Sequence, residues 1–277
     1  MSSLKLGCCI PGASFMPEGI ASVKDETLSE LRDGCHTIID AGFDYAEVGV
    51  GMIMRLNDDD FEAAVCDCMP LRAANSFIPP ELKIVANDAL SVGSPLMDYL
   101  EKAFYRMSRL GIEIVVFGSG GARRIPDGMS REDGLEYIKK FLTVCGKLGD
   151  KYNVTVAIEP LRALECNAVN FTFEGERLAD AVSHPRVAYL ADAFHMAEGG
   201  EPADALEHAH SLPVHIHVSE APDRSCPGCH GGEYLTAFAK SLLSTDYDGM
   251  VSVECGFKDF RAELPDAFDF MNRNFRK

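Results

Sequence analysis

Positive charge is scarce in this chain. Its 26 lysines and arginines face 43 aspartates and glutamates, a formal net charge of −17. Such a polyanion repels phosphate backbones, which argues against a nucleic-acid partner. No apolar stretch approaches the roughly 20 residues of a membrane span, so no membrane partner is expected. Met1 to Ile10 hold one lysine and a short apolar run, without the layout of a secretory signal. The ten cysteines are therefore expected as thiols in a reducing compartment, which points to a cytoplasmic location. Linkers, low-complexity tracts and short-period repeats are also missing. With 277 residues, 47% of them hydrophobic and 25% charged, the composition supports a sizeable core and one domain over residues 1–277.

The stretch Ser225 to Gly232, SCPGCHGG, contains Cys-x-x-Cys-His. That spacing attaches c-type haem or supplies half of a zinc site. A reducing compartment argues against haem, and no clear fourth zinc ligand lies nearby. Cys226, Cys229 and His230 read as loop residues around a turn shaped by Pro227 and Gly228.

Short β-branched runs alternate with amphipathic stretches. Strands are expected at residues 4–10, 45–50, 72–76, 114–118, 155–159, 188–192, 214–219 and 251–255. Several are apolar on both faces, as strands buried between helices are. Leu28, Leu31, Cys35, Ile38 and Ile39 stripe one helix; Leu135, Ile138, Leu142, Cys145 and Leu148 stripe another, with Ser130 and Asp133 marking its start. Leu235, Phe238 and Leu242 stripe a third. A last helix is expected over 259–272, weakened or kinked at Pro265. Residues 77–95 read as an elaborated loop. Cys66 and Cys68 fall on a helix, and Cys8 and Cys9 on the first strand. Eight strand–helix units in strict alternation predict an α/β fold, a single (β/α)8 TIM barrel. The rival open sheet usually carries Gly-x-Gly-x-x-Gly after its first strand, and the run from Gly7 to Ser14, GCCIPGAS, is not that motif.

Barrel chemistry sits at the C-terminal strand ends. There the chain places Glu159, Asp192 with His195 three residues on, His215 and His217, and Glu254. Singly, each carboxylate reads as a cap or an ion-pair partner, and His215 equally as a packed core histidine. Together, three carboxylates in one barrel mouth repel one another unless a cation sits between them. Three oxygens and an imidazole suit one divalent metal ion, Mn²⁺ foremost, with Mg²⁺, Co²⁺ or Zn²⁺ as alternatives. The run Gly118 to Arg124, GSGGARR, is either a backbone-and-guanidinium cradle for an anion or a turn with solvated arginines.

These residues resemble the xylose isomerase-like barrel superfamily, in particular its sugar phosphate isomerase/epimerase group with the ketose 3-epimerases. The likeness lies in AIEP around Glu159, LADAFH around Asp192, HIHVSE around His217 and SVECGF around Glu254, with FDYAEVGV at strand two. It implies that Glu159, Asp192, His217 and Glu254 bind one metal and that Glu159 and Glu254 double as acid and base. It further implies substrate contacts from Glu165, His195 and Arg224, the last in a loop one residue longer than the family pattern. The implied partner is a small-molecule sugar or sugar derivative, and dimers are frequent in the group, so a homo-oligomer is allowed. The implied activity is a metal-dependent isomerase/epimerase acting by enediolate formation on a ketose or related polyhydroxy carbonyl compound. The chain has no tryptophan, whereas many ketose epimerases use one in an aromatic wall; this leaves the substrate open rather than the metal.

Two other activities fit the same barrel. A lyase or dehydratase on a keto-cyclitol or keto-glycoside would use the same ligands. A DNA-repair endonuclease would need histidines at early strand ends, where this chain offers Gly49, Asn75 and Ser119, and an Asp-x-His pair after His217, which it lacks.

Overall fold

A computed structural model describes residues 4–11, 28–68 and 70–276; Gly12 to Ser14, the end of the run compared with a phosphate turn, lie outside them. Along the chain come β1 (Lys5–Cys9), α1 (Leu28–Asp40), β2 (Tyr45–Gly49), α2 (Val50–Arg55), α3 (Asp58–Asp67), β3 (Leu71–Asn75), α4 (Pro95–Arg109), β4 (Ile114–Phe117) and α5 (Gly120–Arg123). Then follow α6 (Arg131–Tyr152), β5 (Thr155–Ile158), α7 (Thr172–Val182), β6 (Val187–Asp192), α8 (Ala193–Glu198), β7 (His215–Val218), α9 (Glu233–Leu242), β8 (Met250–Val253) and α10 (Phe260–Phe275). The strands close in sequence order into one barrel, every pairing parallel. This is the (β/α)8 TIM barrel that the alternation predicts, and each expected strand is found within two residues of its expected bounds.

Two layers of apolar packing hold it. Tyr45, Ala73, Ile114, Val116, Ala157, Leu190 and Met250, all on strands, form one cluster. The opposite strand faces and the helices form the larger one. The period of two sends alternate residues of each strand to different layers. Helix starts follow local chemistry: Ser130 accepts from the Asp133 amide, and Ser94 accepts from the Met97 amide with Pro95 in the first turn. Pro265, the expected weak point, lies inside the last helix. Helix α10 runs through it to Phe275; a proline in the second turn deprives only one carbonyl of its partner, while Leu264, Ala267, Phe270 and Met271 remain buried. The loop between β3 and α4 is irregular, as expected, and part of it reaches the C-terminal mouth of the barrel.

Candidate active site

The strand ladder sets the positions of the acids. Asp192 and His217 are register partners across β6 and β7. One residue beyond β5, the Glu159 amide donates to Phe117 O at 3.2 Å; just past β8, the Glu254 amide donates to Val218 O at 3.0 Å. Glu159, Asp192, His217 and Glu254 are all buried, and each offers a ligand atom within 4.8 Å of the others. Above them opens a cavity of about 500 Å³ whose lining includes Glu159, Glu254, Glu165, Arg224, Asn75 and Gly118.

The donor set fits a divalent cation. His217 Nδ1 lies 3.2 Å from Glu254 Oε2 and 3.5 Å from Glu159 Oε1. Neither His217 Nδ1 nor Glu159 Oε1 has a hydrogen-bond partner among the described residues. Burial, then the Glu254 and Asp192 charges, pushes the Glu159 carboxyl up to about 7. Burial alone would lower the His217 imidazole, but the Glu254 and Glu47 carboxylates outweigh it and raise it well above its ordinary range. Beside burial, both shifts register the surrounding carboxylate charge, which a divalent cation would neutralise. Burial also disfavours the Asp192 carboxylate, yet His195, Arg224 and His217 outweigh it and hold that carboxyl below its usual range. Its Oδ1 accepts the Phe194 amide at 2.8 Å, which caps α8 and fixes the rotamer.

Sequence reasoning missed Glu47, in the middle of β2 and fully buried. Its Oε1 accepts from His217 Nε2 at 2.9 Å. Its Oε2 accepts from His215 Nε2 at 2.9 Å and from Ser252 Oγ at 2.7 Å; the Tyr45 hydroxyl in turn donates to Ser252 Oγ at 2.8 Å. Burial would push Glu47 up, but the two imidazoles win and hold it well below the carboxylate range. With Nε2–H given to Glu47, Nδ1 is the ring nitrogen left facing the other three ligands, free to bind a metal once it gives up its proton. A glutamate flanked by Ala46 and Val48 in an otherwise apolar strand was the available signal. A second group, Cys9, Glu47 and His217, also lies within 4.8 Å. Its donors are already engaged: Cys9 Sγ accepts from Asn75 Nδ2 at 3.2 Å, and burial pushes its thiol well up. His215 is the packed core histidine; burial lowers its imidazole against the pull of Glu47.

Three further expected residues surround the quartet. Arg224 Nη2 reaches Glu254 Oε2 and lies 3.3 Å from Asp192 Oδ2, while its guanidinium sits 5.1 Å over the Phe194 ring. His195 Nε2 is 3.7 Å from Asp192 Oδ2; its Nδ1 accepts the Arg162 amide at 3.3 Å. Burial lowers this imidazole; with Nδ1 accepting, the neutral form of the ring carries its proton on Nε2. Glu165 lines the cavity, and its Oε1 accepts from Arg162 Nε at 2.7 Å.

The glycine-rich run divides between the two readings: Gly118 to Gly121 line the cavity and Arg124 is exposed, but Arg123 fits neither. Arg123 is not solvated: it is fully buried, with Nη1 donating to Phe117 O at 2.8 Å and Nη2 to Glu159 O at 2.6 Å. It clamps the ends of β4 and β5 instead of facing a ligand. Arg124 Nη2 donates to Glu165 O at 2.7 Å. At Gly118, a Cβ would overlap Glu159 Oε2. In the Cys-x-x-Cys-His loop, the His230 ring pairs with Asp223 at 3.0 Å, and its cysteines belong to neither metal-ligating group found among the described residues. No helix of these residues is long and apolar enough to cross a membrane.

Comparison with known proteins agrees with this architecture. A probable ketose 3-epimerase from Synechocystis sp. is 35% identical over 105 residues, which is 38% of this chain and 36% of that protein, so the match spans about a third of the relative's length. D-psicose 3-epimerase from Clostridium cellulolyticum H10, solved with D-tagatose, superposes with a TM-score of 0.82 at 17% identity, covering 99% of this chain and 100% of that one. A 3-keto-D-glucoside 4-epimerase from E. coli gives 0.76 at 19% identity, covering 98% and 99%. Residues 37–273 match the family described as the xylose isomerase-like TIM barrel, and the chain belongs to that family.

Proposed function

We propose that this protein is a metal-dependent sugar isomerase/epimerase. The observation that carries the proposal is the convergence of Glu159, Asp192, His217 and Glu254, with His217 Nδ1 and Glu159 Oε1 buried and unpartnered among the described residues. These four would hold one divalent ion, Mn²⁺ by preference for a three-oxygen, one-nitrogen donor set. The ion would act as a Lewis acid, acidifying the C–H bond beside a carbonyl and stabilising negative charge on its oxygen.

The side chains supply the rest. Glu159 and Glu254, contributed by β5 and β8, exchange the substrate proton: one removes it and the other returns it. Return to the same carbon from the opposite face epimerises it. Return to the neighbouring carbon interconverts aldose and ketose. Neutral His195 donates Nε2–H to a substrate oxygen, and Arg224, fixed as a cation by Glu254 and Asp192, donates beside it. Glu165, braced by Arg162, accepts from a substrate hydroxyl.

The substrate class is a small ketose or related polyhydroxy carbonyl compound. The epimerase names of both the Synechocystis relative and the two barrel neighbours support it. The proposal includes one barrel domain over 1–277, a cytoplasmic location and no nucleic-acid partner, the last supported by the net charge of −17. The test is metal analysis of the purified protein followed by proton exchange into ketoses, sugar acids and inososes in D₂O. Metal-dependent deuterium incorporation beside the carbonyl supports the assignment. A protein that binds no divalent ion and exchanges no proton overturns it.

A further inference from the structure

The Cys-x-x-Cys pair lies outside the proposed chemistry, and its surroundings give it another role. Cys226 to Cys229 form a turn in which the Cys229 amide donates to Cys226 O at 3.1 Å. Pro227 occupies the second position and Gly228 the third, with φ +93°, the pattern of a type II turn. Such a turn brings its end Cα atoms within about 7 Å, the range that disulfide geometry requires. Gly228 also packs against the Phe270 ring, where a Cβ would stand 3.0 Å from it, so α10 holds the turn in this form.

The two thiols differ in access. Cys226 is buried and Cys229 is exposed. Both line a second cavity of about 500 Å³, bounded on the α10 side by Glu263, Asp266, Asp269 and Arg273. This cavity is separate from the one over the carboxylates. Cys255 also touches Cys226 but is buried. A soft-metal cage is not built here, because the loop cysteines join no group of three ligating atoms within 4.8 Å among the described residues.

We infer that Cys226 and Cys229 form a dithiol site that exchanges with a low-molecular-weight disulfide and closes to an intramolecular disulfide. The exposed Cys229 thiolate attacks one sulfur of the incoming disulfide. That S–S bond breaks, and its electron pair leaves with one thiolate, which takes a proton. Cys226, having given its proton to solvent, attacks the Cys229 sulfur and expels the second thiolate, which is likewise protonated. Two protein thiols are oxidised and one disulfide is reduced to two thiols. Burial, then Cys226 and Glu263, pushes the Cys229 thiol up. The thiolate is therefore a minor species, and exchange accelerates as pH rises.

The test uses the full chain and glutathione disulfide as probe. Remaining thiols are alkylated, and cysteine peptides are mapped by mass. Exposed Cys66 reports that the reagent has acted. The expected result is a Cys226–Cys229 link that retains no glutathione, with Cys226→Ser trapping stable glutathione on Cys229. If Cys226 and Cys229 are both alkylated after Cys66 is fully modified, the inference is overturned. Stable glutathione on Cys229 of the unaltered chain, or a Cys226–Cys255 link, overturns it equally. None of these readouts depends on the sugar chemistry.

Discussion

His217 Nε2 donates to Glu47 Oε1 at 2.9 Å in a site where both side chains are fully buried. That bond decides which imidazole nitrogen is left for a metal. Glu47 stands outside the proposed ligand quartet, yet its carboxylate fixes the ring's tautomer and orientation and increases its basicity. Glu47→Gln keeps the shape but replaces an acceptor oxygen with a donor NH₂, which confronts an imidazole N–H or Ser252. Its affinity for Mn²⁺ is expected to fall by roughly 10–100-fold, read by calorimetric titration of chelator-stripped protein. Unchanged affinity would leave Glu47 with a packing role alone. Glu47→Ala removes the shared partner of two buried histidines and is expected to destabilise the fold by about 3–5 kcal/mol.

Gly118 gives a sharper test of the carboxylate geometry. A methyl group at this position displaces Glu159 Oε2, while the other atoms near it are the Glu159 carboxyl carbon and Leu161 Cδ2 at 3.4 and 3.6 Å. Gly118→Ala is therefore expected to move a functional oxygen and little else. A misplacement of this size costs on the order of 100-fold in rate. The expected outcome is that loss of kcat together with weakened Mn²⁺ binding, at a thermal midpoint close to that of the parent. A large fall in the midpoint would place the residue in the folding of β4 instead.

Legibility in the sequence followed periodicity. The strand at 155–158 was readable because its apolar β-branched run ends at an ionisable residue, and the barrel follows from alternation. Glu159, Asp192, His217 and Glu254 were visible as polar punctuation at strand ends. Glu47 was not, because a charge in mid-strand gives no periodic signal and its partners lie 168 and 170 residues away. Arg123 misled for a related reason. Beside Arg124 in a glycine-rich run it reads as solvent-exposed, and only the fold brings the Phe117 and Glu159 carbonyls to its guanidinium. Long-range polar pairing, unlike burial, leaves no periodic trace, only the isolated charge between apolar neighbours at Glu47.

If Glu159 and Glu254 are the two proton-exchanging groups, substituting either should stop catalysis without emptying the site. Glu159→Gln and Glu254→Gln each keep an oxygen donor but lose the base. Each variant is expected to lose detectable turnover on any substrate of the parent enzyme, and deuterium incorporation from D₂O with it. Full activity in either variant would remove that residue from the chemistry.

Stability should carry the opposite pH dependence from that of an ordinary carboxylate when the protein is metal-free. Burial and the neighbouring Glu254 and Asp192 charges raise Glu159 from 4.5 to about 7 on folding. The folded chain then holds a proton that the unfolded chain releases, so its contribution is complete below about 4.5 and is lost as pH rises towards 7. The raised His217 imidazole adds in the same sense at pH values above its unfolded range. For Glu159 alone the loss is on the order of 3 kcal/mol. Denaturant unfolding of chelator-treated protein should therefore show stability falling between mildly acidic and neutral pH, and saturating Mn²⁺ should flatten or reverse the slope. Glu159→Gln, which carries no titrating proton, should remove most of the metal-free slope and be more stable than the parent above pH 7. A parent protein whose metal-free stability rises through the same interval would mean that the carboxylates are already neutralised by groups other than a cation.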